Sequence, residues 1–350
     1  MSSAAMDLSA VEKLKRFLQA HAVEGSPEVD PAAMTPDAST RCYFRVPWRT
    51  NMTAVAAVYP EPFDPEVQPF LDVTNLFTAA QIPVPEIYLV DGASGIIIQE
   101  DLGDDQLVKL NERVHAVQRV ALMAQAIGII ADIQAATRLA YARDSIACRL
   151  AFDEAKLMWE LEFFVEHYFT SLRREKLRRA ESAELMVELN DVAATLAARP
   201  RVLCHRDYHT ANLMVDHSER IRVVDYQDAR MGASTYDLVS LLLDRLTEPP
   251  AGDDIKQQQS FFLDERTRRG LAKLDPDEFA AEFRLMTVQR CLKAVGTFAN
   301  QTANFNRAAA YARFIRPMLI IVIEAAGQLG RFPILRKILE ARVNEEIAAR

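Results

Sequence analysis

Leu203-Cys-His-Arg-Asp-Tyr-His-Thr-Ala-Asn-Leu-Met-Val215, followed at position 222 by Arg-Val-Val-Asp-Tyr-Gln-Asp228, is the stretch on which the reading of this chain turns. Short apolar runs at 202–204, 213–215 and 221–224 alternate here with polar turns, the pattern of brief strands tied by loops. On that frame His205-Arg206-Asp207 is followed after four residues by Asn212, and thirteen residues further Asp225 closes an apolar run. A tight hairpin between Val215 and Ile221 would return Asp225 towards Asn212.

On either side of this β insert the chain reads differently. Long amphipathic stretches around 112–139, 153–170, 171–198, 276–300 and 306–327 are predicted helices, and Asp275-Pro276-x-Glu278 is a strong helix start. Upstream, Ser9 and Glu12 fit a capping box opening a helix with Val11, Leu14, Phe17 and Leu18 on one face. The Pro/Asp-rich segment 27–36 reads as loop, residues 41–46 and 53–59 as strands, and 67–80 as a helix. Residues 87–90 and 96–99 across a turn at 91–95 read as a hairpin. The expected fold class is therefore α+β: an N-terminal segment with a small antiparallel sheet, and a larger, mainly helical C-terminal segment carrying a small β insert.

Composition narrows the function classes. A chain of 350 residues, half hydrophobic, can bury a substantial core. Its net charge of −8 offers no general positive field for nucleic acid or an anionic membrane, so a nucleotide would need a local site. The longest apolar run, 318–323, is far short of a bilayer span and reads as a buried helix segment. Residues 1–10 lack a basic n-region and an apolar h-region, and a cytoplasmic protein is expected. Cys42, Cys148, Cys204 and Cys291 are scattered without zinc spacing, so reduced thiols are expected, and Cys204 reads as a buried strand residue instead of a nucleophile.

Asp207, Asn212 and Asp225 are the residue types that phosphoryl transfer needs. A carboxylate must orient and deprotonate an acceptor hydroxyl, and hard oxygen ligands must hold Mg2+ against phosphates. Asp207 suits the first task, Asn212 and Asp225 the second. Each aspartate alone reads as a turn cap; it is the combination and the spacing H-R-D-x-x-x-x-N that points to chemistry.

The segment resembles the catalytic and metal loops of the aminoglycoside phosphotransferase and choline kinase superfamily, relatives of protein kinases. The likeness extends from about residue 35 to 300. Asp37-Ala-Ser-Thr-Arg-Cys-Tyr-Phe-Arg45, Gln99-Glu-Asp-Leu-Gly-Asp104, Thr235-Tyr-Asp-Leu-Val-Ser-Leu-Leu242 and Gln289-Arg-x-x-Lys-x-x-Gly-x-Phe298 resemble bacterial amino-sugar kinases that act on the anomeric hydroxyl of N-acetylmuramate and N-acetylglucosamine.

The resemblance implies a protein-kinase-like two-lobed fold, with 1–102 as nucleotide-binding lobe and hinge and 103–350 as catalytic and substrate-binding lobe. It implies an ATP- and Mg2+-dependent small-molecule kinase, with backbone contacts to adenine at Glu100, Asp101 and Leu102, and with Asp237 bracing the catalytic loop. His209, Gln227, Asp228 and Arg290 are candidate substrate residues. Residues 37–45 hold no glycine, so a phosphate-covering turn would rest on Ser39, Thr40 and backbone N–H groups. No lysine occupies 53–59, where the kinase pattern has a phosphate-binding one; Arg45 is the first candidate to replace it, then Arg41 and Arg49. Asp225 is followed by Tyr226-Gln227-Asp228, without the glycine of D-F-G.

Other features read blandly. Arg173, Arg174, Lys176, Arg178 and Arg179 alternate into Glu175 and Glu181 as a solvated helix face, and Phe163, Phe164 and Tyr168 read as core. Two alternatives stay open. One is a kinase for an aminoglycoside, choline or related amine, whose cation would call for acids such as Glu154, Glu160, Glu162 and Asp228. The other is a nucleotide-binding pseudokinase serving as an interaction module. A small-molecule substrate is the expected partner, and the residues do not point to an oligomeric state.

Overall fold

The computed structural model describes residues 3–21, 32–33, 41–49, 52–110, 115–305 and 307–348. In chain order the elements begin with α1 (Ser3–Ala20), β1 (Ala32–Ala33), β2 (Cys42–Arg49), β3 (Met52–Val58) and α2 (Pro69–Ala79). Next come β4 (Ile87–Asp91), β5 (Ile96–Glu100), α3 (Leu107–Leu110), α4 (Ala116–Ala135), α5 (Thr137–Ala142) and α6 (Ile146–Arg149). α7 (Glu154–Phe164) runs into a π-helical segment, Val165–Leu172, and is followed by α8 (Arg179–Ala197). β6 (Arg201–Cys204), β7 (Leu213–Val215), β8 (Ile221–Val223) and β9 (Arg230–Ala233) precede α9 (Tyr236–Leu243) and α10 (Gly252–Arg268). The chain ends on α11 (Pro276–Asn304), α12 (Ala308–Leu329) and α13 (Pro333–Ala348). Two compact units divide it: Met1–Val114 with Leu213–Gln227, and His115–Asn212 with Asp228–Arg350.

The first unit is built on an antiparallel sheet in the order β1-β2-β3-β5-β4. Side chains alternate between faces along a strand. Phe44, Val46, Ala54, Ala56, Val58, Ile96 and Ile98 face Leu14, Phe17 and Leu18 of α1, while the intervening Val55, Ala57 and Ile97 are buried as well. Both faces of the central strands are thus covered. α1 starts at Ser3, so Ser9 lies inside the helix and does not cap it, although the apolar face read from the sequence is the one buried. The hairpin β4–β5 closes at Gly95, where φ is +63° and an added Cβ would stand 2.7 Å from the Glu61 carbonyl oxygen; only glycine fits.

The second hairpin of this unit, β7–β8, pairs Leu213 with Val223 and Val215 with Ile221, as the short apolar runs predict. Its outer edges are tied by Val215 N–H to the Asp105 carbonyl at 2.8 Å and Val223 N–H to the Pro83 carbonyl at 2.8 Å. Just beyond it, buried Tyr226 packs between Phe70 and Phe77 of α2 and shares a hydrogen bond with Thr74 Oγ1 at 3.0 Å.

The second unit is mainly helical. α11 packs along α7, the π segment and α12, and its start is the expected one: the Asp275 carboxylate accepts from the N–H groups of Asp277 and Glu278, with Pro276 at the first turn. At Gly296 an added Cβ would meet the Phe164 backbone at 2.8 Å, so the absent side chain sets how closely α7 and α11 approach. Phe164 and Tyr168 are buried and stacked, as read, whereas Phe163 is only half-buried. β6 pairs antiparallel with β9, a strand the sequence did not signal.

Three corrections concern helices. The stretch 171–198 is not one helix: residues 173–178 are irregular, Arg174 has φ +54°, and α8 starts at Arg179. Arg173 there is no solvated bystander, since it pairs with Glu175 at 3.2 Å and with Glu345 at 2.6 Å. α9, α10 and α13 were not expected. Among the described residues one stretch, 116–142, is long and apolar enough to cross a membrane, and over half of its most apolar window is buried in the protein. The 318–323 run lies in α12, where Met318, Leu319, Ile321 and Val322 are buried.

Candidate active site

In the helical unit the loop 205–212 leaves β6 under tight control. Arg206 adopts φ +89°, an unusual conformation for a non-glycine residue, and this turns two successive N–H groups onto one carboxylate. Asp237 Oδ2 accepts from His205 N–H at 2.7 Å and Oδ1 from Arg206 N–H at 3.1 Å. Burial at the start of α9 pushes the Asp237 carboxyl up to about 7, against the pull of those N–H groups and Arg290. The bracing role inferred for Asp237 is thus a pair of hydrogen bonds from the loop backbone.

Asp207 projects from this braced loop among three cations. Its carboxylate lies 3.3 Å from Arg206, 3.3 Å from Arg290 and 3.4 Å from Lys293. Burial alone would raise its pKa, but Lys293, Arg206 and Arg290 together hold it well below the usual carboxylate range. It is therefore ionised at neutral pH, an acceptor for a hydroxyl proton. The Asp207 carbonyl accepts from Asn212 Nδ2 at 3.0 Å, and Asn212 N–H donates to the His209 carbonyl at 2.8 Å, which fixes the amide of Asn212 on the same loop.

The structure thus gathers Asp207, His209, Asn212, Asp228 and Arg290 in one unit. His209 is buried, and desolvation lowers its pKa to about 4, so the ring is neutral near pH 7. Asp228 is paired with Arg206 at 2.6 Å and lies 3.6 Å from Arg230. Arg290 is anchored by Ser240 Oγ at 2.9 Å as well as by Asp207.

Around Asp207, several buried polar atoms have no partner among the described residues: Glu160 Oε1, Gln289 Oε1, Arg206 Nε, Arg290 Nε and His209 Nδ1. Buried polar groups are nearly always hydrogen-bonded, so this concentration marks where water or ligand groups are received. The acids that a cationic acceptor would call for do not gather as a free cluster. Asp228 is neutralised by arginines, Glu160 is buried against Gln289 Nε2 at 2.8 Å, and Glu154 and Glu162 are exposed.

The sheet-bearing unit holds the other candidates. Asp225 sits just past β8 with φ +64° and accepts from Gln227 Nε2 at 2.8 Å. Arg45, weighed as a phosphate ligand, has its guanidinium shared between Asp101, at 2.7 and 3.0 Å, and Asp104, at 3.0 and 3.1 Å. Asp101 also accepts from Thr53 Oγ1 at 2.6 Å and Gly103 N–H at 3.0 Å. Glu100 is engaged by Arg222 at 2.9 Å and Glu86 N–H at 3.1 Å. The side chains of Glu100 and Asp101 are thus committed to the protein, while Leu102 is half-buried.

Arg41 lies against Tyr43, Tyr59 and Phe70 and donates to Tyr59 Oη at 3.1 Å. Phe70 also stacks on Tyr226, the residue after Asp225, and burial, which would lower the Arg41 pKa, is outweighed by charges that include Asp225. Ser39 and Thr40 lie outside the described residues. Cys204 and Cys291 are buried, and desolvation pushes both thiols far above the reactive range.

Among the described residues no group of three or more His, Cys, Asp or Glu gathers as a metal cage. A magnesium ion bound with phosphate oxygens needs only one or two protein ligands, and the amide of Asn212 and carboxylate of Asp225 are oxygen donors of the right kind. Sequence reasoning missed Arg206, Arg230 and Lys156 as site residues and met Lys293 only within the motif Gln289-Arg-x-x-Lys. The one signal for Lys156 was a cation in the first turn of a helix opened by Asp153, where the helix dipole disfavours it.

Residues 33–274 match the model of a family described as the phosphotransferase enzyme family. An N-acetylmuramate/N-acetylglucosamine kinase of Neisseria meningitidis serogroup B is 30% identical over 297 residues, 82% of each chain. One of the same name from Pseudomonas aeruginosa is 29% identical over 282 residues, 79% of each. Of solved structures, macrolide 2'-phosphotransferase type I aligns with a TM-score of 0.57 at 13% identity, over 90% of this chain and 98% of that one. An ADP-bound aminoglycoside phosphotransferase gives 0.52 at 12%, over 92% and 99%. At those identities the likeness is one of fold.

Proposed function

The chain belongs to the phosphotransferase enzyme family and is a small-molecule kinase, and from that premise we propose that it phosphorylates the anomeric hydroxyl of an N-acetylated amino sugar, N-acetylmuramate or N-acetylglucosamine, in the cytoplasm. The family implies ATP as donor. The observation that carries the reading is Asp207: an ionised carboxylate on a loop pinned by Asp237, ringed by three cations and by buried polar atoms awaiting partners.

In this reading Asp207 accepts the hydrogen bond of the sugar C1 hydroxyl and orients its oxygen towards the γ-phosphorus. The bond from that oxygen to phosphorus forms as the bond to the β–γ bridging oxygen breaks, ADP leaves, and the hydroxyl proton passes to Asp207 and on to solvent. A carboxylate held so far below neutrality is a weak base. It therefore works chiefly by positioning, taking the proton late in a loose transition state. Arg290 and Lys293 keep it charged, and His209, Gln227, Asp228 and Arg290 are the proposed acceptor-side residues.

Asn212 and Asp225 would hold magnesium, which when bound neutralises phosphate charge. Residues 1–102 are the proposed nucleotide-binding segment and 103–350 the catalytic and acceptor-binding one. Ser39 and Thr40 remain proposed phosphate contacts, and the segment Glu100-Asp101-Leu102 would meet adenine through its backbone, held in shape by Arg45. Arg41, set among Tyr43, Tyr59 and Phe70, is the proposed cation in place of the absent lysine.

A panel of acceptors with ADP release as readout tests the reading. N-acetylmuramate or N-acetylglucosamine should react and give a 1-phosphate, a 6-deoxy analogue should still react, and a methyl glycoside should not. A 6-phosphate product, or turnover of the methyl glycoside, would remove the anomeric assignment. The cation-rich setting of Asp207 stands against the amine-acceptor alternative.

A further inference from the structure

Resting on the sugar-kinase reading, we propose that Lys156 forms an anion subsite for a carboxylate on the acceptor, so that the enzyme favours an acidic N-acetylated amino sugar over a neutral one. Lys156 stands in the first turn of α7, and its Nζ lies 3.8 Å from the ring centroid of Trp159, which is 53% exposed. A large aromatic side chain this open, on the same helix as the buried Glu160, offers the flat surface on which a sugar ring packs.

The charges around Lys156 come from four elements: Glu160 on α7, Arg206 on the catalytic loop, Arg230 on β9 and Lys293 on α11. Geometry agrees: Glu160, one turn on from Lys156, accepts from Gln289 of α11 at 2.8 Å, and the next residue of α11, Arg290, lies 3.3 Å from Asp207, so this end of α7 runs beside the Asp207 cations. Two of the carboxylates in this neighbourhood are committed to cations, Asp207 to Arg206, Arg290 and Lys293, and Asp228 to Arg206 with Arg230 beyond it, while Glu160 accepts from Gln289 through Oε2 and makes no ion pair with Lys156 among the described residues. Lys156 itself makes no ion pair among the described residues. A cation in a helix's first turn opposes the helix dipole, and burial with three further cations nearby disfavours its charge, Glu160 alone favouring it. An incoming carboxylate would relieve both. N-acetylmuramate and N-acetylglucosamine differ by a lactyl ether that carries a carboxylate, the group this site lacks and a neutral sugar does not supply.

The test compares kcat/KM for N-acetylmuramate, its neutral methyl ester and N-acetylglucosamine, in the full-length chain and in Lys156→Gln and Lys156→Arg. The wild type should prefer the acid over its ester by about tenfold, the value of one charge-assisted contact. Lys156→Gln should erase that ratio through KM for the acid, Lys156→Arg should retain most of it, and raised salt should shrink it in the wild type only. An acid-to-ester ratio near one in the wild type, or a ratio unmoved by Lys156→Gln, would overturn the subsite while leaving the sugar-kinase reading standing. If none of the three sugars accepts phosphate although the folded chain binds ATP, the sugar reading itself falls and the subsite with it.

Discussion

Replacing Lys293 by methionine should bring the titration of Asp207 up into the accessible pH range. Asp207 has three cations on it, and Lys293, at 3.4 Å, heads the effects that hold its pKa down. A unit charge pair at that separation interacts by about 5 kcal/mol at an effective dielectric of about 20. Not all of this is recovered when the lysine goes. Burial and Arg290 already pull the Lys293 pKa below the usual lysine range, and Arg206 and Arg290 remain at 3.3 Å. The expected rise for Asp207 is about 1–3 units, the usual effect of one close opposite charge.

The sign follows from the depression. A carboxylate whose folded pKa is lowered is ionised above that pKa, so the activity and stability that depend on it are present at neutral pH and are lost only as pH falls through the depressed value. The wild type should show no acid limb from Asp207 within the ordinary carboxylate range, and Lys293→Met should develop one. Measuring kcat/KM from the lowest pH at which both proteins stay folded up to about pH 8 and taking the ratio of variant to wild type cancels the titration of ATP itself. Lys293→Arg keeps the charge and should keep the ratio flat, which separates electrostatics from mere loss of packing. A flat ratio for Lys293→Met, at any absolute rate, would refute the claim that this lysine keeps Asp207 charged.

Asp207→Asn should lower kcat by roughly two to four powers of ten with thermal unfolding still cooperative; near-normal turnover in a folded variant would remove Asp207 from the reaction. Asp225→Ala should weaken magnesium-dependent ATP binding in calorimetric titration, and Asn212→Ala should do so more mildly, whereas unchanged affinity for Asp225→Ala would contradict its role as a metal ligand. Arg41→Ala should raise KM for ATP more than Arg45→Ala does, because Arg45 is already bound by Asp101 and Asp104; the reverse order would return the phosphate contact to Arg45. Gly296→Ala should destabilise by about 1–3 kcal/mol through overpacking against Phe164, despite the gain in helix propensity, and a denaturation midpoint at or above the wild type would show that α7 and α11 can move apart.

Much of this was legible locally. The strands β2 to β5 and β7 to β8 announce themselves through short apolar runs bounded by turn residues, and α11 through the Asp275-Pro276 start, because backbone periodicity and capping are properties of neighbours in sequence. β9 escaped notice because Arg230-Met-Gly-Ala233 has no alternation of its own; it is a strand only because β6 lies beside it. The break before α8 escaped for a related reason. The charges of 173–179 suit a helix surface as well as they suit a bend, and the bend is set by pairing Arg173 and Arg342 with Glu175, a contact across the sequence.

The site divides along the same line. His205-Arg206-Asp207 and Asn212 could be read because a loop places them, and Asp237 could be tied to them only by resemblance, since nothing in its own surroundings says that its carboxylate meets two N–H groups of another element. The charge state of Asp207 was out of reach altogether: it depends on Arg290 and Lys293, one helical turn apart on α11, arriving from more than eighty positions away. Arg45 shows the converse. Its place on a strand suggested a free cation near phosphate, and the suggestion could not count Asp101 and Asp104, which reach it from across the sheet. A charged side chain's identity gives its chemistry, but its partners decide whether that chemistry is spent on the fold or left for a ligand. Lys156, without a carboxylate of its own, falls on the second side, and for that reason it is the residue on which the choice of acceptor is proposed to turn.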